Sequence, residues 1–331
     1  MESPAALLIP VAAAETGASA SGKMTDAAPE GSPEASLFLG NPPARASLEI
    51  HGAALQPSEA AQGGLSIIRF RTVAGSEVLP QLETDKLSRP LLFKGQEGWS
   101  GFVAAGYSLD PGIHPIRLSL ERLPPDKPAA EEGFHSAGAL ALNVARRAFP
   151  VERISVPPAK TPLRSENNLT QHTNRLGEAK KETSSRALWE GAFIRPTEGR
   201  ISSEFGLIRE ADGVPTSRHS GIDLANREGT PIRAANSGRV VLSEYMTVTG
   251  HSVIIDHGLN LYTAYYHMQE REVQAGDEVK KGQHVGLMGS TGYSTGPHLH
   301  WSATIGGTPI DPDILTKGDP LSLSAGGSGS S

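Results

Sequence analysis

The sequence predicts a mainly β protein: an N-terminal antiparallel β-sandwich-like domain, a connecting helix and a C-terminal compact antiparallel β domain. Three observations carry this prediction. The 331 residues include 37 Gly and 25 Pro, about 19% together against a usual share of roughly 12%, which favours turn-rich β structure over a helical bundle. Short runs of β-type residues recur between turn signals in two long stretches. A capped helical pattern occurs once.

The elements follow in chain order. Residues 1–45 are expected to be disordered, because a run dominated by Ala, Ser, Gly, Pro and Glu buries too little surface to offset the entropy of ordering. Within them, Ala5 to Ala14 resembles the apolar part of an export signal, but Glu2 precedes it and no Lys or Arg does. A signal segment is therefore expected to be absent or trimmed. Residues 46–157 read as the sandwich-like (Ig-like) domain, with strands at Leu65–Thr72, Trp99–Ala104, Ile113–Leu120 and Ala139–Val144. Asp110-Pro111-Gly112 supplies a turn, since Pro presets φ and Gly accepts a positive one. His51, His114 and His135 are scattered there and read as solvated or packed.

Residues 158–198 read as a helical connector. Ser165 is the expected N-cap, Glu166 lies in the first turn, Leu169, Leu176 and Ala179 share a side, and Glu182 and Arg186 stand at i, i+4, so the helix is expected to run to about Leu188. Its His172 reads as a solvated polar residue. Residues 199–316 return to strands, at Arg239–Glu244, Ser252–Asp256, Tyr262–His267, His284–Met288 and His298–Ile305, and 317–331 read as a flexible tail.

Composition narrows the chemistry. No window holds the roughly 18 uninterrupted apolar residues of a membrane-spanning helix, and a net charge of −6 argues against nucleic acid as partner. The absence of Cys removes disulfides, thiol nucleophiles and cysteine-ligated metal. Any metal must then sit on His, Asp or Glu. Of 11 His, seven (His219, His251, His257, His267, His284, His298 and His300) fall in the last third.

His298-Leu299-His300 places two imidazoles on one side of a strand, about 6–7 Å apart, so one can bind metal while the other serves as acid, base or hydrogen-bond donor. His219 and Asp223 would lie about 13 Å apart in an extended strand and can share an ion only across a bend, which Gly221 permits. Two imidazoles and a carboxylate leave a fourth position open, as catalytic rather than structural sites do. His267, beside Tyr265 and Tyr266, adds another imidazole, and His267 and His298 could handle protons or stabilise an oxyanion. Tyr265, two residues before His267, would share its face and line the groove or pack in the core. His257 reads as a packing residue, and His251 and His284 as surface residues.

A series of motifs runs in order through this stretch: His219-x-x-x-Asp223, Gly229-Thr230-Pro231, Gly238-x-Val240, Val253-Ile254-Ile255-Asp256-His257-Gly258, Tyr265-x-His267, Gly276-x-x-Val279, Gly292-x-Ser294-Thr295-Gly296-Pro297-His298-Leu299-His300 and Asp311-Pro312. With these motifs, residues of about 199–315 resemble the catalytic domain of the lysostaphin-type (LytM, or M23) zinc metallopeptidases. The resemblance implies one Zn2+ per chain held by His219, Asp223 and His300, with His267 and His298 as catalytic residues. It implies an endopeptidase that hydrolyses peptide stems or cross-bridges of bacterial peptidoglycan with metal-activated water, acting after export in the cell envelope or outside the cell. Ser302 stands where many relatives carry a Glu that could orient a ligand. Two other classes compete: a catalytically silent envelope module that binds or activates other wall hydrolases, and a two-His, one-carboxylate iron oxygenase. The full complement of five residues argues against the first, and the His219–Asp223 spacing argues against the second.

Overall fold

The computed structural model describes residues 50–72, 78–84, 86–87, 91–95, 97–122, 135–153, 158–211 and 214–322. The N-terminal stretch expected to be disordered and the tail beyond residue 322 lie outside the described residues. Pro320–Ser322, at the start of the expected tail, forms a 3-10 turn with Pro320 buried.

Two four-stranded sheets make up the first part. One is ordered Ile50–Gln56, Gly64–Thr72, Gly98–Ala105 and Phe93–Gly95; the other Glu59–Ala61, His135–Ala145, Gly112–Arg122 and Val78–Thr84. All neighbours are antiparallel except the short Glu59–Ala61 strand, which runs parallel to its partner. Alternation of side chains sets the core: Ile68, Phe70 and Val103 from the first sheet meet Leu82, Ile116, Leu118 and Leu142 from the second. The opposite side of the first sheet is buried too. Leu65, Ile67, Phe102 and Ala104 share a cluster with Trp189, Phe205, Trp301 and Ile310, which explains why Leu65 to Ile68 is uninterrupted by exposed residues.

A 3-10 turn at Pro158–Arg164 leads into the helix Glu166–Ala179. Ser165 caps it as expected, its hydroxyl accepting from the Asn168 N–H at 3.3 Å. The helix stops nine residues short of Leu188, because the following segment has better partners elsewhere. The Asp256 carboxylate accepts from Thr183 Oγ1 and the Ser184 N–H, Tyr262 Oη donates toward the Lys180 and Glu182 carbonyls, and the Leu188 N–H reaches the His257 carbonyl. Each bond ties the chain to the neighbouring sheet. Glu182 and Arg186 therefore form no helical pair.

The last part is one antiparallel sheet with the path Arg200–Ser203, Gly221–Ala225, His298–Ile305, Leu261–Arg271, Gly250–Asp256, Gly238–Met246 and Glu278–Val279. Thr308–Ile310 pairs with His298–Ile305, while Pro231–Arg233 pairs with His284–Met288, itself on Leu261–Arg271. One face carries Leu224, Val253, Ile255, Tyr265, Leu299 and Trp301 into the main core. The other carries Ile254, Tyr262, Ala264 and Tyr266, over which Leu176 and Ala179 of the helix pack. A separate small sheet joins Val214–Arg218, Ile208–Ala211 and Val151–Arg153.

Candidate metal centre

Asp223 and His300 are directly paired residues on the adjacent Gly221–Ala225 and His298–Ile305 strands. His219 stands in the short link before the first of these. The bend that brings it to Asp223 falls at His219 and Ser220, between two strands. Gly221 serves the strand pairing instead, because a Cβ there would sit 2.3 Å from the Trp301 carbonyl oxygen. Its bare Cα is what lets the two strands lie side by side at this point.

His219 Nε2, Asp223 Oδ1 and His300 Nδ1 form a triangle with edges of 2.9, 2.8 and 2.8 Å. His219 Nδ1 donates to the Glu204 carbonyl at 2.9 Å, so its Nε2 turns a lone pair into the triangle. Three electron-pair donors thus converge with at most one proton, on His300 Nδ1, to share. A cation satisfies all three. A tetrahedral shell with bonds of about 2.0–2.1 Å has edges of about 3.3 Å, so a spread of about half an ångström accommodates a small divalent metal. His219, Asp223 and His300 are also the one group among the described residues whose ligand atoms meet closely enough for an ion.

The electrostatics agree with this. Burial alone would raise the Asp223 carboxyl, but the His219 and His300 imidazoles outweigh it and hold the group well below the usual carboxylate range. Burial, then the neighbouring His219, pushes His300 down to about 4. Both groups are in the deprotonated form that binds metal at neutral pH.

Two further imidazoles stand at the triangle. His298 Nε2 lies 3.8 Å from Asp223 Oδ1, and its Nδ1 is 2.8 Å from the Gly296 carbonyl. The His267 ring is centred 4.9 Å from that of His298, with Nδ1 2.8 Å from the Thr291 carbonyl. A carbonyl only accepts, so each Nδ1 carries the proton and each Nε2 is left with a lone pair. Burial, then His298 and His300, pushes His267 down to about 3. All five residues singled out from the sequence are thus brought together.

Local backbone geometry decides between the groove and the core, the two places open to Tyr265. Tyr265 pairs with Val253 but Met268 pairs with His251, so an extra residue is inserted in the strand, and His267 takes φ +61. This bulge breaks the alternation. Tyr265 is fully buried on the core face, where its hydroxyl oxygen accepts from the Ala235 N–H. Tyr266 takes the groove side, stacked on His300 with ring centroids 5.6 Å apart and planes at 19°.

The helix also reaches this side. His172, expected to be solvated, packs edge-on against Tyr266 at 6.3 Å between ring centroids, and burial, then Lys180 and His300, pushes it down to about 4. His257 is fully buried, as a packing residue should be. His251 Nδ1 accepts from Arg271 Nε, and His284 Nδ1 meets the Glu272 carboxylate. Ser302 is buried beside the site and hydrogen-bonds the Tyr266 hydroxyl. Sequence reasoning missed Tyr266, the three carbonyls that set the imidazole protons, and Arg209, whose Nη2 lies 3.6 Å from Asp223 Oδ2. Carbonyls leave no trace in residue type; for Tyr266, only its place before His267 in an aromatic pair was a signal.

Three possible ligand atoms that meet at one point, with two imidazoles beside them, are the arrangement of a catalytic rather than a structural metal site. Residues 217–312 match the model of peptidase family M23. Peptidoglycan DD-endopeptidase ShyC of Vibrio cholerae is 43% identical over 135 residues, which cover 40% of this chain and 31% of ShyC. DD-carboxypeptidase/endopeptidase Mpg of Neisseria meningitidis is 40% identical over 113 residues, 34% of this chain and 26% of Mpg. The chain thus spans between a quarter and a third of these relatives. A solved Pseudomonas aeruginosa structure assigned to peptidase M23 shares the fold with a TM-score of 0.52, at 22% identity over 77% of this chain and 94% of that one.

Proposed function

We propose that the protein is a zinc-dependent endopeptidase that cleaves peptide bonds in bacterial peptidoglycan, and that it acts in the cell envelope. The observation that carries this reading is the triangle of His219 Nε2, Asp223 Oδ1 and His300 Nδ1 with two proton-accepting imidazoles beside it. The DD-endopeptidase names of relatives support the substrate class. Nitrogen and carboxylate donors with an open fourth position suit zinc.

His219, Asp223 and His300 would hold the ion. When bound, zinc supplies a Lewis acid that polarises the scissile carbonyl and brings the pKa of water toward neutrality. The protein groups handle the protons. With Nδ1–H committed to the Gly296 carbonyl, His298 Nε2 can accept a proton from attacking water. It can then return that proton to the leaving amine. His267, neutral at pH 7 and held by the Thr291 carbonyl, presents a second Nε2 lone pair to the same space, where it can accept a hydrogen bond from the attacking water and orient it. Tyr266, flat against His300, keeps that imidazole from rotating and excludes water from one side.

The test is zinc content per chain together with muropeptide release from purified cell walls, analysed by mass spectrometry. One zinc per chain and release of shortened cross-linked peptides are expected, with both lost in His300→Ala. Zinc retained by the unaltered chain without any cleavage would sink the catalytic reading.

A further inference from the structure

Asp223 has two carboxylate oxygens, and they face different ways. Oδ1 lies in the triangle with His219 and His300. Oδ2 faces the guanidinium of Arg209, whose Nη2 is 3.6 Å away. That distance marks a charge contact, too long for a direct hydrogen bond. Arg209 Nε lies 3.6 Å from Glu152 Oε2. The three side chains form a row from surface to site, 41%, 24% and 7% exposed for Glu152, Arg209 and Asp223.

The backbone sets this row in place. Val151–Arg153 adds as a parallel strand to Ile208–Ala211, with Glu152 in register with Arg209, and the Ile208 N–H donates to the Pro150 carbonyl at 2.9 Å. The chain leading into that strand is anchored on the same unit. Phe149 packs edge-on against Phe205 at 6.5 Å between centroids, and Arg147 pairs with Asp311 at 2.7 Å. Gly206 has no Cβ because one would sit 2.1 Å from the Phe149 ring. Glu152 is therefore held in place by the end of the upstream β part.

We infer that Arg209 is a positioning residue for Asp223, and that Glu152 makes the upstream β part a contributor to the metal centre. This rests on the metal reading proposed above. A guanidinium on Oδ2 restricts rotation of the carboxylate and leaves Oδ1 alone for the ion, so Asp223 offers one oxygen. Arg209 by itself would add positive charge beside a dication. Glu152 offsets that charge while keeping the guanidinium aimed. Orientation and charge balance thus come from different residues, and they can be separated by mutation.

The test measures zinc affinity by chelator competition on the full chain, with thermal unfolding of the metal-free protein in parallel. Arg209→Met with Glu152→Gln changes no net charge and removes the orientation. We expect this pair to weaken zinc binding about 10- to 100-fold, the usual range for groups that orient ligands, with the metal-free unfolding midpoint unchanged. Arg209→Met alone should weaken it less, because the bared Glu152 attracts the ion. Glu152→Gln alone should weaken it by a few-fold at low salt and recover as salt screens the uncompensated Arg209. Zinc affinity of the double variant equal to that of the unaltered chain overturns the inference. If the double variant does not fold, the Glu152→Gln series decides: affinity at low salt equal to that of the unaltered chain overturns it too. Failure of the unaltered chain to take up zinc overturns the metal reading itself, an outcome distinct from both.

Discussion

Tyr266 and His300 lie face to face across adjacent strands, paired in register, with ring centroids 5.6 Å apart and planes at 19°. The phenol ring is a wall against which the imidazole is held with Nδ1 toward Asp223. Tyr266→Phe keeps that wall and should leave zinc affinity within about threefold of the unaltered protein, whereas Tyr266→Leu should weaken it about tenfold. Chelator competition measures both. Equal affinities in the two variants would show that the stacking does not position His300.

His298 and His300 are two residues apart, but only His300 belongs to the triangle. His298→Gln should therefore hold zinc nearly as tightly as the unaltered protein while peptide release falls by about 100- to 10,000-fold, the range of general acid–base catalysis. Zinc content and muropeptide release on one preparation separate the two effects. Loss of zinc from this variant would assign His298 to binding.

Gly221→Ala would drive a methyl group into the Trp301 carbonyl oxygen between the strands that carry Asp223 and His300. The expected loss of stability is about 1–3 kcal/mol, read from urea unfolding. Zinc affinity should drop as well, since the two strands must part. An unchanged unfolding midpoint would contradict the close approach.

His257 is fully enclosed and neutral, and burial pushes it down to about 4. Its place is set by a directed chain of hydrogen bonds: the Ala235 N–H donates to Tyr265 Oη, Tyr265 to Thr263 Oγ1, Thr263 to His257 Nε2, and His257 Nδ1–H to the Ser237 carbonyl. The unfolded chain binds a proton here near pH 6.5 and the folded one resists until about pH 4. Stability from this group is therefore full above pH 6.5 and is lost as pH falls toward 4, by about 3 kcal/mol. Urea unfolding at pH 7 and pH 4.5 should show a smaller decline in His257→Gln than in the unaltered protein. Identical declines would remove His257 from the acid response.

Strand positions were legible wherever apolar runs stood between turn residues, as at Leu65–Thr72 and His298–Ile305. His298 and His300 were legible as a pair because their strand keeps its alternation. The same rule failed at Tyr265, since an inserted residue at Tyr266–His267 exchanges inside and outside, and no residue type announces such an insertion. The helix end was misjudged for a related reason. Residues 180–188 carry good helical spacing, but Asp256 and Tyr262, distant in sequence, offer their backbone and Thr183 other partners. Arg209 was unreadable because its meaning depends on a strand that arrives from residue 151.

The left-handed backbone at His267 costs about 1 kcal/mol in any residue with a side chain. Selection for robustness alone would relieve it, and His267→Gly should yield a sturdier fold with one imidazole fewer over the site. A histidine retained at φ +61 is thus a small standing debt of stability, held at the position where Nδ1 meets the Thr291 carbonyl and the ring stands 4.9 Å from that of His298.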